Sequence, residues 1–162
     1  MYSFPVAADR DGWSLPDTVN LPVHETGQLL FAPNGDTLAV LGGTLLQLFL
    51  PLSFAFYFTL RRDEHASSVC VWWVGQNLVG ISRFMAGTAG LAWPQLGGGP
   101  QEWQLLFTQW EVTLFAAQYA QLTRGLGALV MLVSTMWGVC EAMRLSPPRA
   151  SVQPHYHRLR VR

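Results

Sequence analysis

Residues 37–60 are 24 consecutive residues without a charged side chain, and the run stops at Arg61-Arg62-Asp63-Glu64. A helix rises about 1.5 Å per residue, so a helical run of this length exceeds the roughly 30 Å hydrocarbon core of a bilayer. Pro51 lies past its middle and is expected to kink it, a defect that membrane helices tolerate when neighbours satisfy the freed carbonyl. The rest of the chain agrees with a lipid solvent. Of 162 residues, enough for one domain, half are hydrophobic, only 12% are charged, and mean hydropathy is +0.22.

Two further runs read as spans. Residues 66–82 are bounded by His65 and Arg83, and near the end of residues 125–143 Glu141 and the following Arg144 are spaced to pair one turn apart. Residues 105–122 are long enough to cross but carry Glu111. Gln104, Thr108, Glu111, Gln118 and Gln121 share one side of that wheel, which suits a spanning helix with a protein-facing stripe or a helix lying in the interface. Thr123-Arg124-Gly125 reads as a tight helix–helix turn, which favours the spanning version. The expected fold is an all-α integral membrane protein. It is a bundle of three to four transmembrane helices over residues 21–145, preceded by a short His-Glu helix and an extended segment 1–20. A Pro- and Arg-rich tail, 146–162, follows. Arginine counts divide seven to three for either span number, and in both the C-terminal tail is cytoplasmic.

Zero formal net charge gives no field that would recruit nucleic acid. Cys70 and Cys140 fall in apolar runs and read as reduced packing residues, not a disulfide. The acidic, Pro/Gly-containing start lacks the basic and apolar blocks of a signal peptide. Asn34-Gly35 marks a turn before the first span. Gly97-Gly98-Gly99-Pro100 marks a loop, with Trp93 and Trp103 placed like interfacial anchors.

The chemistry-bearing fragment is "LPVHETGQLLFAPNGD". His24-Glu25 begins an H-E-x-x-H zinc motif, in which two histidines one turn apart hold the metal and the Glu polarises water. Gln28 stands at the second histidine, and a neutral amide oxygen is a poor zinc ligand beside imidazole or thiolate. His65 is expected a membrane thickness away. His155 and His157 lie in the tail.

The order of "HETGQLLFAPNGDTLAVLGGTLLQLFLPLSF" and "VCVWWVGQNLVGISRFMAGTAGLAWPQLGGGPQEWQLLF" resembles a family of small bacterial membrane proteins distantly similar to site-2-type intramembrane zinc metalloproteases. The resemblance spans about residues 22–107. It implies a first motif H-E-x-G-H, a span containing Gly-Gly, a Trp-rich span with G-Q-N/S-L, an Ala-Asp-Ala stretch, then a Gly-Gly loop before His-Asp-Trp. This chain keeps the scaffold at Gly27, Gly42, Gly43, Gln47, Pro51, Trp72, Trp73, Gln76, Asn77 and Trp103. It departs at the chemistry: Gln28 for histidine, Gly87 for aspartate, and Gln101-Glu102 for His-Asp.

The expectation is therefore a lapsed enzyme of the bacterial inner membrane. His24, Glu25, Gln28 and Glu102 would be its vestigial site, without metal or other cofactor. Gly42, Gly43, Gln76 and Asn77 would be helix-packing positions, because small residues admit close approach and buried amides bond across helices. The expected role is a structural or accessory subunit of a larger integral-membrane assembly, with photosynthetic reaction-centre or antenna complexes and respiratory complexes as candidate hosts. Its interfaces would meet partner subunits, lipid or pigment. Arg158, Arg160 and Arg162, alternating with Leu159 and Val161, would contact lipid headgroups or an acidic partner. Two alternatives stand beside this: an intramembrane zinc protease with an altered site, and a module that holds transmembrane segments without cutting them.

Overall fold

In a computed structural model of the chain, residues 15–88 and 99–145 are described, and among them all regular structure is helical. The elements are α1 (Leu15–Phe31), α2 (Asp36–Leu60), α3 (Glu64–Gly87), α4 (Gly99–Gln109) and α5 (Ala116–Leu145), with 3-10 turns at Ala32–Asn34 and Thr113–Phe115. The helices α2 and the stretch Thr113–Arg144 are long and apolar enough to cross a membrane. The tail with Arg158, Arg160 and Arg162, the segment 1–14 and the Trp93–Gly98 part of the loop lie outside the described residues.

The boundaries follow local chemistry. Gly35 takes φ 103°, a left-handed conformation that only glycine adopts cheaply, and turns the chain from α1 into α2. At the far end of α2, Arg62 adopts φ 60° while Arg62 N–H donates to Thr59 O and Asp63 N–H to Phe58 O. That pair of bonds closes a Schellman motif with arginine at the position usually held by glycine. Asp63 then caps α3, accepting from Ala66 N–H at 3.0 Å. Glu141 and Arg144 pair at 2.6 Å in the last turns of α5, as their spacing predicts.

Helix α3 is central. It runs antiparallel to both α2 and α5, so α2 and α5 point the same way. The α3–α5 crossing is tight because Gly75 and Gly127 face each other. A Cβ on either would sit within 2.8 Å of the other's carbonyl oxygen. Met131 and Val79 fill the space beside them. Helix α1 lies on α2 through Gly27, Gly42 and Gly43. The short α4 packs Trp103, Leu106 and Phe107 against Val40 and Ile81.

Several expectations need correction. Residues 105–122 are not one helix. α4 stops at Gln109, Glu111 takes φ 57°, and Val112 N–H bonds Phe107 O at 2.9 Å, a second Schellman closure. Thr123-Arg124-Gly125, read as a turn, lies inside α5. The extended segment 1–20 is helical from Leu15 onward. Trp103 is no interfacial anchor: only 6% of it is exposed. Cys140 is free but exposed, not a packing residue.

Beside its apolar clusters, the bundle buries many polar side chains and exposes many large apolar ones. Asn20, His24, Gln47, Ser67, Ser68, Gln76, Asn77 and Ser134 are buried. Phe49, Phe56 and Leu60 on α2 and Leu122, Leu129 and Met136 on α5 are exposed. Water-soluble folds bury large aliphatic and aromatic side chains and leave amides outside.

Candidate functional site

The buried polar residues are joined, and the joining begins at Pro51. Proline has no N–H, so the carbonyl of Gln47, four residues earlier on α2, loses its helical partner. Asn77 of α3 supplies the substitute: its Nδ2 donates to Gln47 O at 2.7 Å. That contact fixes the Asn77 amide, because only the NH2 end can donate to a carbonyl. Asn77 Oδ1 therefore faces Gln47 Nε2, which donates to it at 3.1 Å. Gln47 Oε1 is left pointing at His24 Nδ1, 3.2 Å away.

An oxygen facing Nδ1 sets the histidine's tautomer. Nδ1 carries the hydrogen, and Nε2 is the nitrogen presented to the other side. There it meets Glu102 Oε2 of α4 at 3.1 Å and Gln28 Nε2 at 3.1 Å. A bare ring nitrogen and a carboxylate would repel at that distance, so the His24–Glu102 contact holds one further proton. Burial pushes the Glu102 carboxyl up. Hydrogen bonds from His24 and Gln28 and the charge on His24 outweigh that and leave it below the ordinary range. His24 is clamped on its faces too, packed on Gly43 and with its ring centre 6.3 Å from that of Phe84.

A second amide chain runs alongside. Trp73 Nε1 donates to Asn20 Oδ1 at 2.7 Å, and Asn20 Nδ2 donates to Gln76 Oε1 at 2.7 Å. Gln76 and Asn77, expected at helix contacts, are thus both buried with their amides bonded across helices. Gly42 and Gly43 sit under α1. Gln47 was legible only as scaffold and Asn20 not at all, although Asn20 stands four residues before His24 on the same face of α1.

Of the predicted vestigial site, the structure brings His24, Gln28 and Glu102 together. It leaves Glu25 exposed on the flank of α1, with no hydrogen bond to it among the described residues. Gly87 ends α3 one turn beyond Phe84, so it lies on the side of α3 that faces His24. His65 bonds Gly138 O at 3.2 Å near the opposite end of the bundle. Asn77, level with His24, is twelve residues along α3 from it, about 18 Å.

These residues do not fit a zinc centre. Among the described residues no three His, Cys, Asp or Glu side chains converge. The meeting point has one imidazole, one carboxylate and one neutral amide, each bonded to another. What the arrangement does chemically is tie α1, α2, α3 and α4 together through one directed set of hydrogen bonds. No protein-family model matches this chain, and neither a curated protein nor a solved structure is measurably similar to it.

Proposed function

We propose that the chain is a lipid-embedded, non-catalytic protein that serves as a structural subunit of a larger integral-membrane assembly. The observation that carries this is the combination of bonded amides and hydroxyls buried between helices with large apolar side chains exposed along α2 and α5. In lipid the exposed Leu and Phe cost nothing, while internal amides gain from bonding across helices. In this reading α2 and α5 are spans, α3, which is not apolar enough to pass as one by itself, crosses between them as the third, and α4 is not one. Arg61, Arg62 and Arg144 then share one end, against Arg83 and Arg124. The arginine bias makes the former end, with the C-terminus, cytoplasmic in a bacterial inner membrane.

The pseudoenzyme part of the proposal rests on the donor set. A relationship to site-2-type metalloproteases would account for the meeting of His24, Gln28 and Glu102 at one point. The exchange of histidine for Gln28 explains why they bond one another instead of a metal. A zinc protease is the second reading, favoured only by that convergence, and the exposed Glu25 is badly placed as its base.

Extraction of native membranes in a mild detergent, followed by size separation, tests the subunit role. The chain is expected to migrate with a larger assembly and to keep fixed stoichiometry with its partners. An 18.0 kDa chain migrating alone in its micelle under every mild condition contradicts it.

A further inference from the structure

Loops between helices are ordinarily polar because they are hydrated. The connection from α4 to α5 is not. Among the described residues no large apolar side chain is more exposed than Leu114, at 93%, and Trp110 and Phe115 beside it are half exposed. This connection sits at the end of the bundle where α2 begins, because Thr37 Oγ1 donates to Gln109 Oε1 at 2.6 Å. Leu29 and Leu30, in the last turn of α1, are exposed at the same end. Two exposed acids, Asp36 and Glu111, are interleaved with them.

Water is the wrong surrounding for the leucines, and hydrocarbon is the wrong one for the carboxylates. The boundary between headgroups and acyl chains accepts both, and tryptophan concentrates there. The length of α2 agrees: 25 residues reach about 37 Å, so its first turn emerges from a roughly 30 Å core. The apolar patch is also continuous with the exposed face of α5 at Tyr119 and Leu122.

We propose that this end of the bundle, centred on Trp110, Leu114 and Phe115, is an interfacial anchor seated at the headgroup–acyl boundary of the bilayer. The proposal rests on the lipid-embedded reading and adds the depth at which the chain sits. α4 is then a half-depth helix running from the level of His24 to the membrane surface. The break at Glu111 places the anchor there.

Site-directed spin labelling of the full chain tests it. Cys70 and Cys140 are replaced by alanine, and the protein is reconstituted in vesicles of phosphatidylcholine and phosphatidylglycerol. Single cysteines are labelled at Leu114, at Phe49 near the middle of α2, and at Arg62 as an aqueous reference. Accessibility to oxygen against a water-soluble nickel chelate should place label 49 deep, label 62 in water, and label 114 about 15 Å shallower than 49 yet inside the phosphates. A label at Leu29→Cys should report the same layer, which guards against local disturbance at 114. Label 114 in water with 49 deep overturns the anchor and leaves the lipid-embedded reading intact. Label 49 in water overturns that reading itself. A label 114 as deep as 49, or shielded from both reagents by protein, also overturns the anchor.

Discussion

Replacing Gly42 and Gly43 together with leucine is expected to detach α1 from α2. A Cβ on Gly42 would lie 2.7 Å from Phe31 Cγ and 2.8 Å from Gly27 O, and one on Gly43 would lie 2.8 Å from His24 Cε1. Backbone cannot withdraw locally, because a Cβ on Gly27 would itself meet Gly43 Cα at 2.8 Å. Overpacking a fitted contact costs about 1–3 kcal/mol, and here two leucines act on one crossing. The readout is hydrogen exchange in detergent, where α1 should lose protection while the α3–α5 pair keeps it, together with a lower thermal midpoint. Gly125→Leu is the control: apart from its own turn of helix, no atom lies within 4 Å of its Cβ position, so stability should hold. Unchanged exchange in the double variant would mean that α1 does not rest on that face.

The second large effect concerns Asn77 and depends on Pro51. Asn77→Leu removes the donor to Gln47 O and the acceptor for Gln47 Nε2, leaving two buried groups unpaired. Each orphaned group costs about 1–3 kcal/mol in water-based measurements and less in lipid, where the unfolded reference also finds partners. A loss of about 1–2 kcal/mol is expected. Pro51→Ala restores an N–H that can take the Gln47 carbonyl, so Asn77→Leu should cost less in that background, by about 0.5–1 kcal/mol. Strict additivity within about 0.3 kcal/mol would show that the proline and the asparagine are not linked through that carbonyl.

Much of the helical plan is legible in the sequence because its signals are local. The uncharged run 37–60, the charged cluster Arg61-Arg62-Asp63-Glu64 that closes it, and Asn34-Gly35 are each readable from neighbouring residues alone. What the sequence hides is equally physical. The motif that ends α4 normally announces itself with glycine, and here Glu111 occupies the left-handed position, so Trp110–Phe115 reads as uninterrupted helix. Arg62 does the same at the end of α2, but the charge cluster around it marks that boundary anyway. Pro22 inside α1 obscured the helix that begins at Leu15. Trp103, read as an anchor from its place beside a glycine loop, is buried because Leu106 and Phe107 turn the same face of α4 inward.

The candidate site is legible at its residue types and not in its connectivity. Gln28 and Glu102 stand out as departures from a zinc motif, yet nothing local says that Glu102 will close on His24 across 78 residues. Nor does the spacing of Gln47 and Pro51 announce that Asn77 will bond the carbonyl freed between them. Both are decided by which helices lie side by side, and that depends on the glycines at Gly42, Gly43, Gly75 and Gly127.

Metal analysis of the chain purified in mild detergent without chelators bears most directly on the claim that its centre is a closed set of hydrogen bonds. Wild-type protein is expected to carry well under one zinc per chain. Gln28→His alone should confer neither stoichiometric zinc nor proteolysis, because Gly87 and Gln101 would still supply no donor where the proposed ancestral motif has aspartate and histidine. One tightly held zinc per wild-type chain, lost in His24→Ala, would contradict the account and favour the zinc-protease reading.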